Sequence, residues 1–396
     1  MVYISMVRTE TEFGQAENTY NPILSRRSLL KNVIGAAILI SRPHLLDIPQ
    51  EKRDFDLKIF DNIDIGASFS PEEFGLNQAN YKSEEGQRTQ NAALNMLRFI
   101  QEDLGINDVR LGVRWTNIVD ENGNFDFGMY KPFFDYCLKN GMNVTLNVGI
   151  KVFRWPEEHI PTRIIENMPK AGSVISSTDE IAKTYLIWGE KLFNFLRSNY
   201  SKEELEQIKT IQPENESYNS FGKLKLTMSD DYLVELTALA RNYFQESDIL
   251  LTSSEFFNLG QIYNLFEILS SFVDKNKLKI GINDYPFLAG NLTDPIEDYN
   301  LKTAILGGIT IRDFKKQGYQ IEVSEAEAEP WLDEPMPDPL SAFKIVTLRA
   351  TDNIFNPKQK SVLRLWGIKY VYNQAPEISK PLFDLLRTIK KSKEKS

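Results

Sequence analysis

The sequence predicts an α/β fold, a single-domain (β/α)8 TIM barrel, on three observations. From about residue 60 a short apolar strand pattern is followed repeatedly by a longer helical one, the order of βαβ units in a parallel sheet. The candidate strands number eight, the number that closes such a barrel. No long Pro-, Gly- or Ser-rich linker interrupts the series.

The candidate strands begin near Ile63 (IDIGASF), Asp108 (DVRLGVRW), Asn143 (NVTLNVG), Glu206 (EQIKTIQ), Ile249 (ILLTSS), Leu278 (LKIGIND), Tyr319 (YQIEVSE) and Val362 (VLRLW). Between them, Leu94, Leu97, Phe99, Ile100 and Leu104 trace a helix that stops at Gly105, and Phe133 to Leu138 one that stops before Gly141. Ser177-x-x-Glu180 predicts a capping box ahead of Ile181, Tyr185, Trp188, Leu192 and Phe195, which share one helical face. Ser229 is a candidate cap for the helix carrying Leu233, Leu236 and Leu239. The basic run Lys390 to Lys395 reads as a solvated helix end, where cations are favoured. Residues 1–50 are expected to be a leader and linker, and residues 51–396 the barrel, with no appended second domain.

Composition narrows the chemistry. With two histidines (His44 and His159) and one cysteine (Cys137) in 396 residues, zinc fingers, iron–sulfur clusters, multi-histidine metal sites and disulfide scaffolds are excluded. No metal or other cofactor is expected. Asp and Glu number 55 against 46 Lys and Arg, a poor match to a nucleic-acid binder and a fair one to carboxylate chemistry on a neutral, aromatic-stacked substrate.

The leader carries Ser25-Arg-Arg-Ser-Leu-Leu-Lys31 followed by an uncharged run from Val33 to Ile40, too short to span a bilayer. It resembles a twin-arginine export signal, which implies the export machinery as a partner and an exported protein, with no strong cleavage site in Ser41-Arg42-Pro43-His44. The acidic excess lies in the remaining body, expected to be a monomer.

In a (β/α)8 barrel the reactive groups project from the C-terminal ends of the strands. The fourth strand runs into Ile211-Gln-Pro-Glu-Asn-Glu-Ser217 and the seventh into Val323-Ser-Glu-Ala-Glu-Ala-Glu-Pro-Trp331, so each delivers carboxylates there. Glycosidic cleavage needs such a pair, one to protonate the leaving oxygen and one to attack or activate water. Strand two offers Arg110 and Arg114 at one parity, and strand six ends Asn283-Asp284-Tyr285. Trp115, Trp155, Trp331 and Trp366 all fall at or just beyond strand ends, where flat rings suit sugar stacking.

These motifs resemble the clan A glycoside hydrolases, in particular cellulase-like, family 5-like members, over roughly residues 60–375. The resemblance implies Glu216, after Asn215, as acid/base and Glu325 as nucleophile, held by Arg110. The stretch from Gly149 to Glu157, similar to G-x-K-x-x-R-W-P-E, would bring Lys151 and Trp155 to the substrate. Tyr285 would contact the nucleophile, Glu329 and Trp331 would belong to a run like E-x-Q-A-E-P-W, and Trp366 would floor a sugar subsite. The activity implied is a retaining β-glycosidase on an oligo- or polysaccharide. The sequence departs from the pattern at Ser217, where proline is common, at Glu327, where glutamine is, and at Lys369, in place of the W-G-x-E glutamate.

Other readings of the same residues stay open. Glu216 has the lesser reading of an exposed loop carboxylate, Glu325 of half of a structural ion pair, each tryptophan singly reads as packing, Cys137 as a small core residue, and His159 as a loop residue ahead of a base. A catalytically silent carbohydrate-binding barrel at the cell envelope is the alternative function. Phosphate or metal chemistry in the barrel is disfavoured, because no Gly-rich loop follows strands seven or eight and histidine ligands are scarce.

Overall fold

The computed structural model describes residues 55–254, 258–284, 310–326, 329, 338–356 and 359–395. Eight parallel strands close into a barrel in sequence order: β1 Ile63–Phe69, β2 Asp108–Gly112, β3 Asn143–Val148, β4 Ile208–Pro213, β5 Asp248–Ser254, β6 Leu278–Asp284, β7 Gln320–Ala326 and β8 Ser361–Leu365. All the predicted strands are present, the fourth beginning at Ile208 rather than Glu206. Helices α1 Glu84–Arg98, α2 Lys131–Lys139, α3 Glu180–Asn199, α4 Asp230–Tyr243, α5 Leu259–Leu269, α6 Pro339–Arg349 and α7 Pro376–Lys393 lie between and after them. Residues 310–317 are helical ahead of β7. Among the described residues no helix is long and apolar enough to cross a membrane. Residues 1–50, expected to be a leader, and Tyr285, Glu327 and Trp331 lie outside the described residues.

Most local signals act as the sequence suggests. Glycines 105 and 141 take φ values of 72° and 69° past the ends of the first two helices, a left-handed conformation that costs a residue without Cβ little. In α3 the face of Ile181, Tyr185, Trp188 and Leu192 is buried. The expected capping box does not form. Asp179 holds the N-cap position, and the Ser177 N–H and hydroxyl donate instead to Asp231 at 2.9 and 2.7 Å. Ser229 sits at the N-cap of α4, yet its hydroxyl donates to the Ile175 carbonyl at 2.9 Å. Both serines find partners on another element, which outcompete the local helix end. The capping box that does form is Ser201 with Glu204.

The barrel interior is polar and built around two buried arginines on successive levels. In the lower, Arg364 of β8 donates to Asp108 of β2 at 2.9 Å, to Thr145 of β3 at 2.8 Å and to Glu322 of β7. In the upper, Arg110 of β2 reaches Gln212 of β4 and Glu325 of β7 at 2.7 and 2.5 Å. With Asp108 and Arg110 inward, alternation sends Val109 and Leu111 outward into the buried apolar layer under the helices.

Alternation fails in β7. Glu322 and Glu325 both meet interior arginines although they stand three positions apart, an odd offset that puts residues on opposite faces of a regular strand. The pairing registers supply the reason. Val323 pairs with Ile282 and Leu363, but Glu325 pairs with Asn283 and Ala326 with Leu365, so β7 carries an irregularity against both neighbours. This bulge turns Glu325 from the outer face to the inner one.

The loop after β3 depends on Gly149. Its φ is 144°, and a Cβ there would run into the Glu214 carboxyl. Gly149→Ala is expected to lower unfolding stability by about 2 kcal/mol or more, measured by denaturant titration, and Gly141→Ala by only about 1 kcal/mol, because there the left-handed φ strains the residue but a Cβ meets nothing.

Candidate active site

The upper interior layer continues into the C-terminal mouth of the barrel. Arg110, wholly buried, donates from three nitrogens: to Gln212 Oε1 at 2.7 Å, to Glu325 Oε1 at 2.5 Å and to Asn215 Oδ1 at 2.7 Å. The Phe153 ring lies 4.4 Å from its guanidinium. Arg110 thus ties the β4 end to β7 across the barrel. The other strand-two candidate, Arg114, pairs with Glu72 at 3.7 Å instead.

Glu216 follows β4 and is 6% exposed. Its Oε1 accepts from Asn283 of β6 at 2.5 Å and its Oε2 from Asn219 at 3.2 Å, while its own N–H donates to Thr252 of β5 at 2.9 Å. Burial, with the charge of Glu325 second, lifts its carboxyl to about 7 against the opposing effects of Lys151 and the two asparagines. Glu216 and Glu325 are therefore set in different surroundings, one under amide donors and short of compensating charge, the other against a guanidinium.

The loops after β3 and β4 hold Glu216 by interlocking. Glu214 is fully buried and accepts from the N–H groups of Ile150 and Lys151 at 2.7 and 2.6 Å and from Tyr232 at 2.7 Å. Lys151 reciprocates: its ammonium donates to the carbonyls of Glu216 and Asn219 at 3.2 and 2.7 Å. Glu158 accepts from Leu224 and Leu226, both at 3.2 Å. Arg154, Glu157, Glu214 and Glu216 all have positive φ, from 44° to 79°. Non-glycine residues adopt this conformation rarely and at a cost of order 1 kcal/mol, so these contacts stabilise a mouth that local propensity disfavours.

Of the expected site residues, Glu216, Glu325, Arg110 and Asn215 come together. Lys151 is 0% exposed and supports backbone; it presents nothing to a ligand. Trp115 is also a correction: it is wholly buried, edge-on to Tyr185 at 5.1 Å, and is core packing because β2 ends before the chain turns it under α3. Trp366 does line the β8 end, but Arg154 covers its ring at 3.8 Å and Phe153 meets its edge. Arg154 in turn pairs with Glu73 at 2.8 Å and with Glu329, so Glu329 holds that cover in place. Lys369 donates to the Glu73 carbonyl and stabilises the β1 loop. Trp155 faces outward, 63% exposed, with Phe221 edge-on at 6.1 Å.

Sequence reasoning assigned no role to Gln212, Thr252, Asn283 or Glu157, all of them polar groups of the mouth. Gln212, Thr252 and Asn283 each stand near the end of an apolar strand, which is the signal that marks them. His159 is 5% exposed, and burial, then the Arg114 charge, push its imidazole well below its usual range, so it is neutral. Cys137 is buried and burial raises its thiol, an inert core position.

A cavity of about 480 Å³ opens at the other end of the barrel, lined by Asp64, Asp108, Asn143 and Lys390 among others. Its lysines are engaged: Lys393 with Ile63 and Asp64, Lys390 with the Glu102 carbonyl. Among the described residues no group of three or more His, Cys, Asp and Glu is placed to hold a metal ion.

The class defined by fold and site is a (β/α)8 barrel with two buried glutamates at the ends of β4 and β7. No protein-family model matches the chain, and no curated protein does. Solved structures do. The exo-β-1,4-mannosidase of Opitutaceae bacterium strain TAV5 is 13% identical with a TM-score of 0.50, over 83% of this chain and 60% of that one. A family 10 endoxylanase from a sugarcane-soil metagenome is 11% identical with a TM-score of 0.47, over 78% and 87% of the two chains. The intracellular xylanase of Thermoanaerobacterium saccharolyticum is 13% identical with a TM-score of 0.44, over 80% and 89%. At such identity the likeness to the mannosidase speaks to the barrel fold alone.

Proposed function

We propose that this chain is a glycoside hydrolase, a retaining β-glycosidase acting on a β-linked oligo- or polysaccharide, exported by a twin-arginine-type leader and working as a monomer without a cofactor. The observation that carries the reading is the division of labour between two buried carboxyls: Glu325 against Arg110, and Glu216 lifted to about 7. A Glu325 oxygen attacks the anomeric carbon as the bond to the leaving oxygen breaks, and the Glu216 proton passes to that oxygen. Glu216, now a carboxylate, takes a proton from water as the water oxygen attacks the same carbon and releases Glu325. Arg110 holds and aims the nucleophile, and Asn219 and Asn283 orient the acid.

The test is hydrolysis of aryl β-glycosides, β-mannan, β-glucan and xylan by the purified body, with products identified. Sugar release that disappears in a Glu325→Gln variant supports the proposal, whereas binding without hydrolysis on every substrate rejects it in favour of a carbohydrate-binding barrel.

Trp155 is assigned a stacking role on the polymer beyond the cleavage point, because its ring is open at the rim of the β3 loop. Trp155→Ala is expected to raise KM on a polysaccharide by about 5- to 10-fold, the value of one aromatic stack, while changing a small aryl glycoside by less than about 2-fold. Equal effects on both substrates would remove that role.

A further inference from the structure

Glu157 is a third buried carboxyl of the mouth, and the double displacement does not use it. It is 4% exposed with φ of 70°. A tight loop aims it: the Val152 N–H donates to its carbonyl at 3.0 Å, and its own N–H donates to the Arg154 carbonyl at 3.0 Å. The neighbouring Glu158 has both oxygens filled by backbone N–H groups. Glu157 differs. Its Oε2 accepts from Asn215 Nδ2 at 3.0 Å, and no hydrogen bond among the described residues engages its Oε1.

The Asn215 amide has no freedom to turn away. Its Oδ1 takes Arg110 at 2.7 Å and Gln212 at 3.2 Å, which leaves the amide nitrogen directed at Glu157. We propose that Glu157 is a substrate-binding residue: Asn215 holds its Oε2, and its Oε1 carries a proton donated to an oxygen of the sugar seated beside Glu216. This rests on the reading of Glu216 and Glu325 given above and extends it to a group that binds the sugar.

The charges facing Glu157 agree with a neutral carboxyl. Glu216 and Glu325 stand on one side of the balance; on the other, Arg110 is committed to Glu325, and Lys151 to two carbonyls. Burial, then the Glu216 charge, lift Glu157 to about 8, against Lys151 and Asn215. Below that pH it donates; above it, as a carboxylate, it cannot. A glutamine at 157 retains an oxygen for Asn215 and an N–H for the sugar at every pH.

The experiment measures kcat and KM from pH 5 to 9 on a 4-nitrophenyl β-glycoside that the wild type hydrolyses, with Glu157→Ala and Glu157→Gln, after circular dichroism confirms folding. Glu157→Ala is expected to raise KM about 10-fold at pH 6, with kcat within about 3-fold, the effect of one lost hydrogen bond. Glu157→Gln should keep KM near the wild-type value at pH 6. Wild-type KM should climb above about pH 8, and that climb should be absent in Glu157→Gln. Equal KM in the three proteins, or a wild-type KM flat through pH 8, overturns the inference. If Glu157→Ala does not fold, the pH dependence of KM in Glu157→Gln decides alone. Failure of the catalytic reading is distinct: it shows as full activity in Glu325→Gln, whatever happens at position 157.

Discussion

Replacing Glu325 by glutamine is expected to lower turnover by at least about 10⁴-fold, because the step that forms the glycosyl-enzyme loses its nucleophile. The variant should still fold. Glutamine loses the charge but retains an oxygen that accepts from Arg110, whereas alanine would leave a wholly buried guanidinium with neither counter-charge nor acceptor at that position, at a cost of about 3–5 kcal/mol. The contrast separates the two meanings of the same ion pair. If Glu325 were only the structural partner of Arg110, the glutamine variant would lose stability and keep its rate per folded molecule. Steady-state kinetics alongside a thermal melt distinguish these outcomes.

Glu216→Gln is expected to cost about 10²- to 10⁴-fold on substrates with poor leaving groups, the range of general acid catalysis. On a dinitrophenyl glycoside, whose leaving group departs without a proton, the loss in the first step should nearly vanish. The pH profile carries the same information. The acid must be protonated to work, and its folded-state value of about 7 lies above that of a free carboxylate, so wild-type kcat/KM should fall as pH rises through about 7. In Glu216→Gln that alkaline limb should be missing. An unchanged limb would assign it to another group, such as Glu157.

The barrel was legible because it rests on repetition: eight apolar strand patterns separated by amphipathic helices survive errors in any one of them. The site was legible in a different way. Motif position pointed to Glu325, while strand alternation counted from the inward Glu322 would have turned it outward; the β7 bulge between them resolves the conflict, and nothing local in Val-Ser-Glu-Ala announces it. The tryptophans show the opposite failure. Their shared placement at strand ends suggested a ring of sugar platforms, yet Trp115 is core and Trp366 lies beneath Arg154. Whether a ring faces solvent or a neighbour is settled by contacts distant in sequence, here Tyr185 and Arg154. Glu157 was hidden for the same reason: its meaning comes from Asn215, 58 residues away.

The central claim is a covalent double displacement by Glu325 and Glu216, and the anomer first released tests it most directly. Proton NMR of a β-glycoside during hydrolysis, read before mutarotation, should show the β-anomer appearing first, the outcome of two inversions at one carbon. First appearance of the α-anomer would contradict the account, because a single inversion leaves Glu325 no role as nucleophile.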